Sequence, residues 1–188
     1  MLFKFRKEPF SVYFKWLGEE NKGREVIYVA GQYQGKLHTK IAAGDIPFMP
    51  AGHRTALSPN SFLVRSNSRH AITEAGIGRV IDRFGSVVNA VESGNNRSGT
   101  LQYLGKLKRP EYPEELEAVL HTIPAGLEKQ LPRGGQRFLY FDMDLRFPVL
   151  VITRDHNRQI VEYYCYDRFL FPGRMYDDEF NPDVLWGK

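Results

Sequence analysis

The sequence has a single cysteine and no long apolar run, and each of these absences excludes a class of protein. Cys165 is the only cysteine among 188 residues, which excludes an intramolecular disulfide and a multi-cysteine metal site. It lies in a stretch typical of a strand, where a buried thiol is expected. The longest apolar run, residues 147–152, is far shorter than the roughly 20 residues of a membrane-spanning helix. We therefore expect a globular chain that depends on its own apolar core.

Long runs of one charge are also missing. The net charge is +4, with basic residues in excess over residues 1–100 and acidic residues in excess beyond them. A basic half can attract nucleic-acid phosphates or lipid head groups. Because its basic residues are spread singly between other residues, we interpret them as solvated strand faces and predict no nucleic-acid partner.

Aromatic residues are abundant, at 13% of the chain, and they favour β structure. Residues 10–17 place Phe10, Val12, Phe14 and Trp16 on one face of a strand by strict alternation. Similar patterns predict strands over 24–30 and 36–41, joined by turns too short for a crossover. A second meander is predicted over 137–142, 148–153 and 159–166, and a further strand over 100–108.

One long helix is predicted from Thr73 to Glu92. Thr73 suits the N-cap, and apolar residues recur at spacings of three and four to form one stripe. Gly76, Gly78 and Gly85 weaken the helix intrinsically, so it must pack against an apolar surface.

These patterns predict an α+β protein with an antiparallel sheet and its helix on one face. We expect a single domain over 1–188. It divides into a first meander (1–42), an irregular connection (43–72), the helix (73–92), the remaining strands (100–168) and a polar tail (169–188).

Sequence motifs for chemistry are sparse. The five histidines show no metal-ligand spacing, so we predict no metal site and no cofactor. Arg69, His70 and Glu74 surround the predicted start of the helix, where an acid–base pair is conceivable. Capping and a local ion pair explain the same residues with fewer assumptions.

Three stretches resemble an uncharacterised bacterial family, known as domain of unknown function fifteen seventy-one. They are residues 8–13 with 23–29 and 35–37, the stretch Arg69-His70-Ala71-Ile72-Thr73-Glu74-Ala75-Gly76-Ile77, and residues 162–166 with 178–182. Members of that family usually begin with a signal peptide and an extra segment. The resemblance therefore implies that this chain lacks an N-terminal segment. It also implies a periplasmic or cell-envelope location, while the missing signal peptide leaves the cytoplasm open.

The family is also similar in pattern to periplasmic lipoprotein carriers. This resemblance implies a curved antiparallel sheet, a half-open barrel, with the long helix packed on its concave side. It further implies a non-enzymatic envelope protein that binds a lipid, a lipoprotein acyl chain or another amphiphile.

Six aromatic residues are the candidate ligand-binding residues of such a concavity: Phe14, Trp16, Tyr28, Tyr103, Phe141 and Tyr164. Each of these rings can equally fill a core. Two other functions stay open, a hydrolase or isomerase that uses His70 and Glu74 with Arg69 as an anion-binding group, and a structural module that binds proteins by strand addition.

Overall fold

A computed structural model describes residues 1–66, 69–171 and 173–187, which form two compact units. The first unit contains Met1–Gly76, within the described ranges, and the C-terminal residues 173–187. The second unit is Ile77–Phe171. Residues 67 and 68 of the predicted connection, and 172 and 188 of the predicted tail, lie outside the described residues. The prediction of a single domain over 1–188 stays a prediction.

The first unit is built on five strands and two short helices. The strands are β1 (Leu2–Arg6), β2 (Ser11–Lys15), β3 (Glu25–Val29), β4 (Leu37–Lys40) and β5 (Arg54–Leu57), and the helices are α1 (Phe62–Ser66) and α3 (Pro182–Trp186). All neighbouring strands pair antiparallel in the order β1-β2-β3-β4-β5. Strands β2, β3 and β4 lie within the three stretches predicted as the strands of the first meander, and β5 lies within the predicted irregular connection.

One face of this first sheet is covered by the C-terminal segment. Tyr13, Ile27 and Val29 point to that face and enclose Phe180, whose side chain is fully buried. Phe180 ends a 3-10 turn over Asp177–Phe180 that leads into α3. The tail predicted as polar thus contributes a residue to the apolar core.

The same segment neutralises basic side chains of the first sheet. Three ion pairs join them, Lys4 with Glu179 at 3.1 Å, Arg6 with Asp177 at 2.7 Å and Arg54 with Asp183 at 2.7 Å. Basic residues from the N-terminal part of the chain therefore form ion pairs with acidic residues from the C-terminal part, within the first unit.

Glu25 is the buried carboxylate beneath this cover. It accepts hydrogen bonds of 2.6 Å from the Tyr13 hydroxyl and from the Trp186 indole N–H, and Lys15 Nζ lies 3.5 Å away. Burial opposes its charge, but these hydrogen bonds together with Lys15 and Lys40 outweigh it and lower the pKa of Glu25. Glu25 therefore links the middle of the sheet to the C-terminal segment.

The second unit contains five more strands and the long helix. They are α2 (Ile77–Glu92), β6 (Thr100–Lys108), β7 (Glu115–Ile123), β8 (Gly135–Asp142), β9 (Phe147–Asp155) and β10 (Ile160–Cys165). The strands form a second antiparallel sheet in the order β10-β9-β8-β7-β6. Its core contains Leu116, Ala118, Tyr140, Val149, Leu150 and Ile152.

The described strands form two sheets of five, which corrects the expectation of one curved sheet. The α+β class and the antiparallel pairing are confirmed. Strands β5 and β6 belong to different sheets, and the described residues between Leu57 and Thr100 contain helices and turns but no strand. Among the described residues, no helix is both long enough and apolar enough to cross a membrane.

The long helix begins four residues later than predicted. Residues Ile72–Glu74 form a separate 3-10 turn, and Gly76 then takes a φ of 107°, which interrupts the helical path before Ile77. A Cβ at Gly76 would lie 2.6 Å from the Phe5 ring, so only glycine fits this position. Thr73 is therefore not the N-cap of α2.

Replacing Glu25 by glutamine is expected to destabilise the first unit by about 2 kcal/mol, since the variant loses charge-assisted hydrogen bonds at a buried site. Urea unfolding followed by tryptophan fluorescence measures this, because both tryptophans, Trp16 and Trp186, lie in the first unit. The wild type should lose the same stabilisation as the pH falls below 4.5, the ordinary pKa, and passes through the lower folded-state value.

Glu19→Gln is the matched control, because the Glu19 side chain is 91% exposed in a surface ion pair. It should change the stability by less than about 0.5 kcal/mol. Equal effects of the two substitutions would contradict the role given to Glu25.

Candidate functional site

A cleft of about 440 Å³ opens in the second unit between α2 and the connection from β7 to β8. Arg83, Ser86, Val87 and Ala90 line it from α2, at the spacings that put side chains on one helix face. The opposite wall is formed by residues 127–130, and His121 and Ser98 complete the lining. The volume lies within the range of about 300–1,000 Å³ that is typical of small-molecule sites.

A row of four polar side chains crosses the second sheet beside this cleft. In the strand register His121 pairs with Arg137, Arg137 with Thr153, and Thr153 with Glu162. Residues paired across strands point to the same face of a sheet. All four are buried, with exposed fractions between 0% and 8%.

Arg137 is the centre of the row. Its guanidinium donates two parallel hydrogen bonds to the Glu128 carboxylate, at 2.7 and 2.8 Å, and one of 3.1 Å to Thr153 Oγ1. Glu162 lies 3.5 Å away on the other side. Glu128 belongs to the wall of the cleft, so this buried contact attaches the wall to the sheet.

The charge state of Glu128 follows from that contact. Burial acts against its negative charge, but the hydrogen bonds and the charge of Arg137 are stronger and lower the pKa of Glu128. The positive charge of Arg83 acts in the same direction. Glu128 is therefore ionised at neutral pH and already neutralised by a protein cation.

His121 is the buried imidazole of the cleft. Burial lowers its pKa, and the nearby charge of Arg137 adds to this effect, so the ring is neutral at pH 7. Its Nε2 lies 2.8 Å from the Ser98 carbonyl oxygen, which assigns the ring proton to Nε2 as the donor. A neutral, hydrogen-bonded imidazole contributes polarity to the cleft without adding charge.

The outer part of the cleft combines apolar surface with positive charge. Val87, Ala90 and Leu127 supply the apolar side chains, and Leu127 is 43% exposed. Arg83 and Lys129 are exposed on opposite walls. An apolar surface with charged groups at its rim is suited to a small amphiphilic ligand.

Residues 1–184 match a family model described as protein of unknown function, DUF1571. The chain belongs to the DUF1571 family. Comparisons with curated proteins and with solved structures found no match. The family description assigns no activity, so any functional argument for this DUF1571 protein depends on its own geometry.

The six aromatic residues predicted to bind ligand divide equally between the units. In the first sheet, the Phe14 and Trp16 rings lie 6.1 Å apart and Tyr28 lies 6.2 Å from Phe10. All three are half-buried on the face opposite Tyr13.

The other three aromatics share the face of the second sheet that carries the polar row. Phe141 lies 5.3 Å from Phe84 of α2, whereas Tyr103 is 64% and Tyr164 37% exposed. The residues that line the cleft include none of the six. Their role in ligand binding stays a prediction.

Residues 69–77, which form one of the three stretches that resemble the family, end at the first residue of α2. This stretch brings together His70 and Glu74, whose Nδ1 and Oε2 atoms lie 3.7 Å apart, and Arg69 directly precedes His70. His70 is half-buried and Glu74 exposed. His70 and Glu74 therefore lie close together in the first unit, and a catalytic role for them stays a prediction.

Two further sequence predictions concern ligand chemistry. Cys165, expected to be buried, is exposed at the end of β10, where its Sγ lies 3.6 Å from the Tyr112 hydroxyl. This correction arises because β10 is an edge strand of its sheet.

Within the described ranges, histidine, cysteine, aspartate and glutamate side chains form no group of three that could hold a metal ion.

The cleft and the polar row were not predicted from sequence. The sequence of residues 116–123 fits a helix and a strand equally well. The sequence therefore does not predict that Val119, His121 and Ile123 share one face of strand β7. Arg137 and Glu162 stand in predicted strands, but their alignment depends on the register, which a single sequence does not contain.

Arg137→Met is expected to destabilise the second unit by about 3 kcal/mol, because it leaves the Glu128 and Glu162 carboxylates without their buried cation. Circular dichroism in urea should follow the unfolding, since the tryptophans lie in the other unit. Arg133→Met is the control, because Arg133 is exposed on the same connection. A loss below 1 kcal/mol for Arg137→Met would show that the ion pair does not hold the wall.

Proposed function

We propose that this DUF1571 protein is a non-enzymatic binding protein of the cell envelope. It holds a lipid, a lipoprotein acyl chain or another amphiphile in an apolar concavity, and the cleft beside α2 is that concavity. The observation that carries the proposal is one space of 440 Å³ that combines apolar side chains, the buried His121 and exposed basic side chains.

The arrangement of the second unit supports this proposal. An antiparallel sheet, β6 to β10, has one long helix packed on it through Phe84 and Phe141, and the cleft opens beside that helix. We include in the proposal a half-open barrel shape and a periplasmic location, both implied by the resemblance to carriers.

The polar floor of the cleft is His121, whose Nε2 donates to the Ser98 carbonyl, and Arg137 and Thr153 follow it in the row beside the cleft. All three side chains have hydrogen-bond partners within the protein, so the floor does not need a ligand to satisfy it. A preformed cleft loses little conformational entropy when it binds. The rigid floor and the exposed rim therefore divide the site into a structural part and a part that contacts the ligand.

Filling the cleft should abolish binding. Ala90→Phe places a ring in the cleft, whereas Asn89→Phe adds the same ring at the neighbouring exposed position, which does not line the cleft. We expect native mass spectrometry to find amphiphile bound to the wild type and to Asn89→Phe and at least tenfold less on Ala90→Phe. Binding that is equal in all three proteins would place the ligand elsewhere, and ligand-free wild type that takes up no fluorescent fatty acid would contradict the proposal.

The alternative function is a hydrolase or isomerase centred on His70 and Glu74, with Arg69 as an anion-binding group. It is supported by the distance of 3.7 Å between the imidazole and the carboxylate. This separation is longer than a hydrogen bond, and the carboxylate would orient the histidine as a general base once the contact shortens on substrate binding.

This alternative predicts that His70→Gln and Glu74→Gln each lower the hydrolysis of a panel of aryl esters by at least about a hundredfold while circular dichroism is unchanged. His156→Gln is the control, because His156 is exposed in the second unit. Absence of turnover by the wild type, or equal turnover by all variants, would rule out this alternative.

A further inference from the structure

The strands at the edges of the two described sheets differ in charge. The edge strands β1, β5 and β6 each carry at least one lysine or arginine, and β6 also has a bulge beside Gly105. Basic side chains and bulges keep an exposed strand edge from pairing with another chain. The fourth edge strand, β10, contains no lysine, arginine or proline, and its one charged residue, Glu162, is buried beside Arg137. Strand β10 therefore lacks a charge that would oppose pairing.

The regular part of β10 is short and is centred on Tyr164. A bulge interrupts the strand before Glu162, and from there the register with β9 continues without a shift to Cys165. The Tyr166 N–H extends the same register, because it donates to the Val149 carbonyl at 2.8 Å. The bulge thus limits the regular stretch at Glu162, and Tyr164 is the middle residue between Glu162 and Tyr166.

The backbone groups of Tyr163 and Cys165 point away from β9. Successive residues of an antiparallel strand direct their N–H and C=O groups alternately to one side and to the other. Because the Tyr166 N–H bonds to β9, the groups of Tyr164 also face β9, and those of Tyr163 and Cys165 face the opposite side. Among the described strands, none lies on that side. The N–H and C=O groups of both residues therefore stand at an open edge.

The side chains at this edge are uncharged and accessible. Tyr163 is 47% and Tyr164 37% exposed, and Cys165 is exposed as well. An added strand would therefore bury aromatic surface while it forms backbone hydrogen bonds, and cross-strand aromatic pairs add stability. An identical strand meets no like charge here, since the Glu162 carboxylate is buried towards Arg137.

We infer that β10 pairs antiparallel with β10 of a second copy of this chain, about a two-fold axis that passes between the two copies of Tyr164. The outward groups of Tyr163 then face those of Cys165 in the second copy, and the reverse, so that each open edge satisfies the other. An axis at Tyr163 or at Cys165 would shift the pairing towards the bulge or beyond the end of the strand. Two-fold dimers are the commonest homo-oligomers. The inference does not depend on the proposed binding function.

Sedimentation equilibrium of the whole chain tests this pairing. As the concentration rises, the mass of the wild type should approach twice the 21.7 kDa of one chain. Tyr163→Pro removes an outward N–H, which does not bond to β9, and should raise the dissociation constant at least about a hundredfold. Tyr163→Phe is the matched control. It loses only the hydroxyl that donates to Glu111 at 2.7 Å, so it should stay dimeric. Circular dichroism checks that both variants fold.

Disulfide formation tests the register without the proline variant. Opposed residues of a non-hydrogen-bonded antiparallel pair have Cα atoms about 4.5 Å apart, within the reach of a disulfide, whereas diagonal neighbours are about 7–8 Å apart. In the inferred register Tyr164 opposes its own copy and Tyr163 is diagonal to its copy. On a Cys165→Ser background, Tyr164→Cys should therefore form a disulfide-linked dimer under mild oxidation, and Tyr163→Cys should not.

A wild type that stays a monomer as its concentration rises would overturn the inference and leave the β10 edge to an extended segment of a different protein. A dimer that survives Tyr163→Pro, or a disulfide that forms with Tyr163→Cys and not with Tyr164→Cys, would also overturn it. Each of these results leaves the proposed binding function unchanged, because the cleft beside α2 includes no residue of β10.

Discussion

The buried contact between Arg137 and Glu128 determines the candidate site. Arg137 stands on β8, the central strand of the second sheet, whereas Glu128 belongs to a connection that has little regular structure of its own. Two parallel hydrogen bonds between a guanidinium and a carboxylate fix both distance and orientation. The connection is thereby held at a defined separation from α2, and this separation is the cleft.

Burying such a pair is costly unless every charge is compensated. Thr153 and Glu162 complete the surroundings of Arg137, and both belong to the row that also contains His121. The first unit also contains a buried charge, Glu25, whose carboxylate accepts hydrogen bonds from Tyr13 and Trp186. In each unit a buried charge thus attaches a segment outside the sheet to the sheet.

The positions of most strands can be predicted from the sequence, whereas the way the strands assemble into sheets cannot. Alternation indicates the strand around Val12, because a half-buried strand must alternate, whereas β-branched and apolar residues indicate the strands around Ile27 and Ile152. The start of α2 was placed too early, since Thr73 satisfies the pattern of an N-cap and the conformation of Gly76 depends on the Phe5 ring, which is distant in sequence.

The division into two sheets and the cleft depend on long-range pairing. His121, Arg137 and Glu162 are far apart along the chain, and only the register aligns them. A one-residue shift would turn each side chain to the other face, so no property of a single strand predicts the row. The six aromatics are large side chains on predicted strands, and the residues that line the cleft include none of them.

The central claim is that the cleft beside α2 is where the protein holds its ligand. Hydrogen–deuterium exchange of the whole chain, with and without saturating dodecanoate, tests it most directly. The account predicts slower exchange at residues 83–90 and 121–130, with no change in β2 and β3. Protection confined to β2 and β3, around Phe14, Trp16 and Tyr28, would contradict it and assign the ligand to the aromatic face of the first sheet.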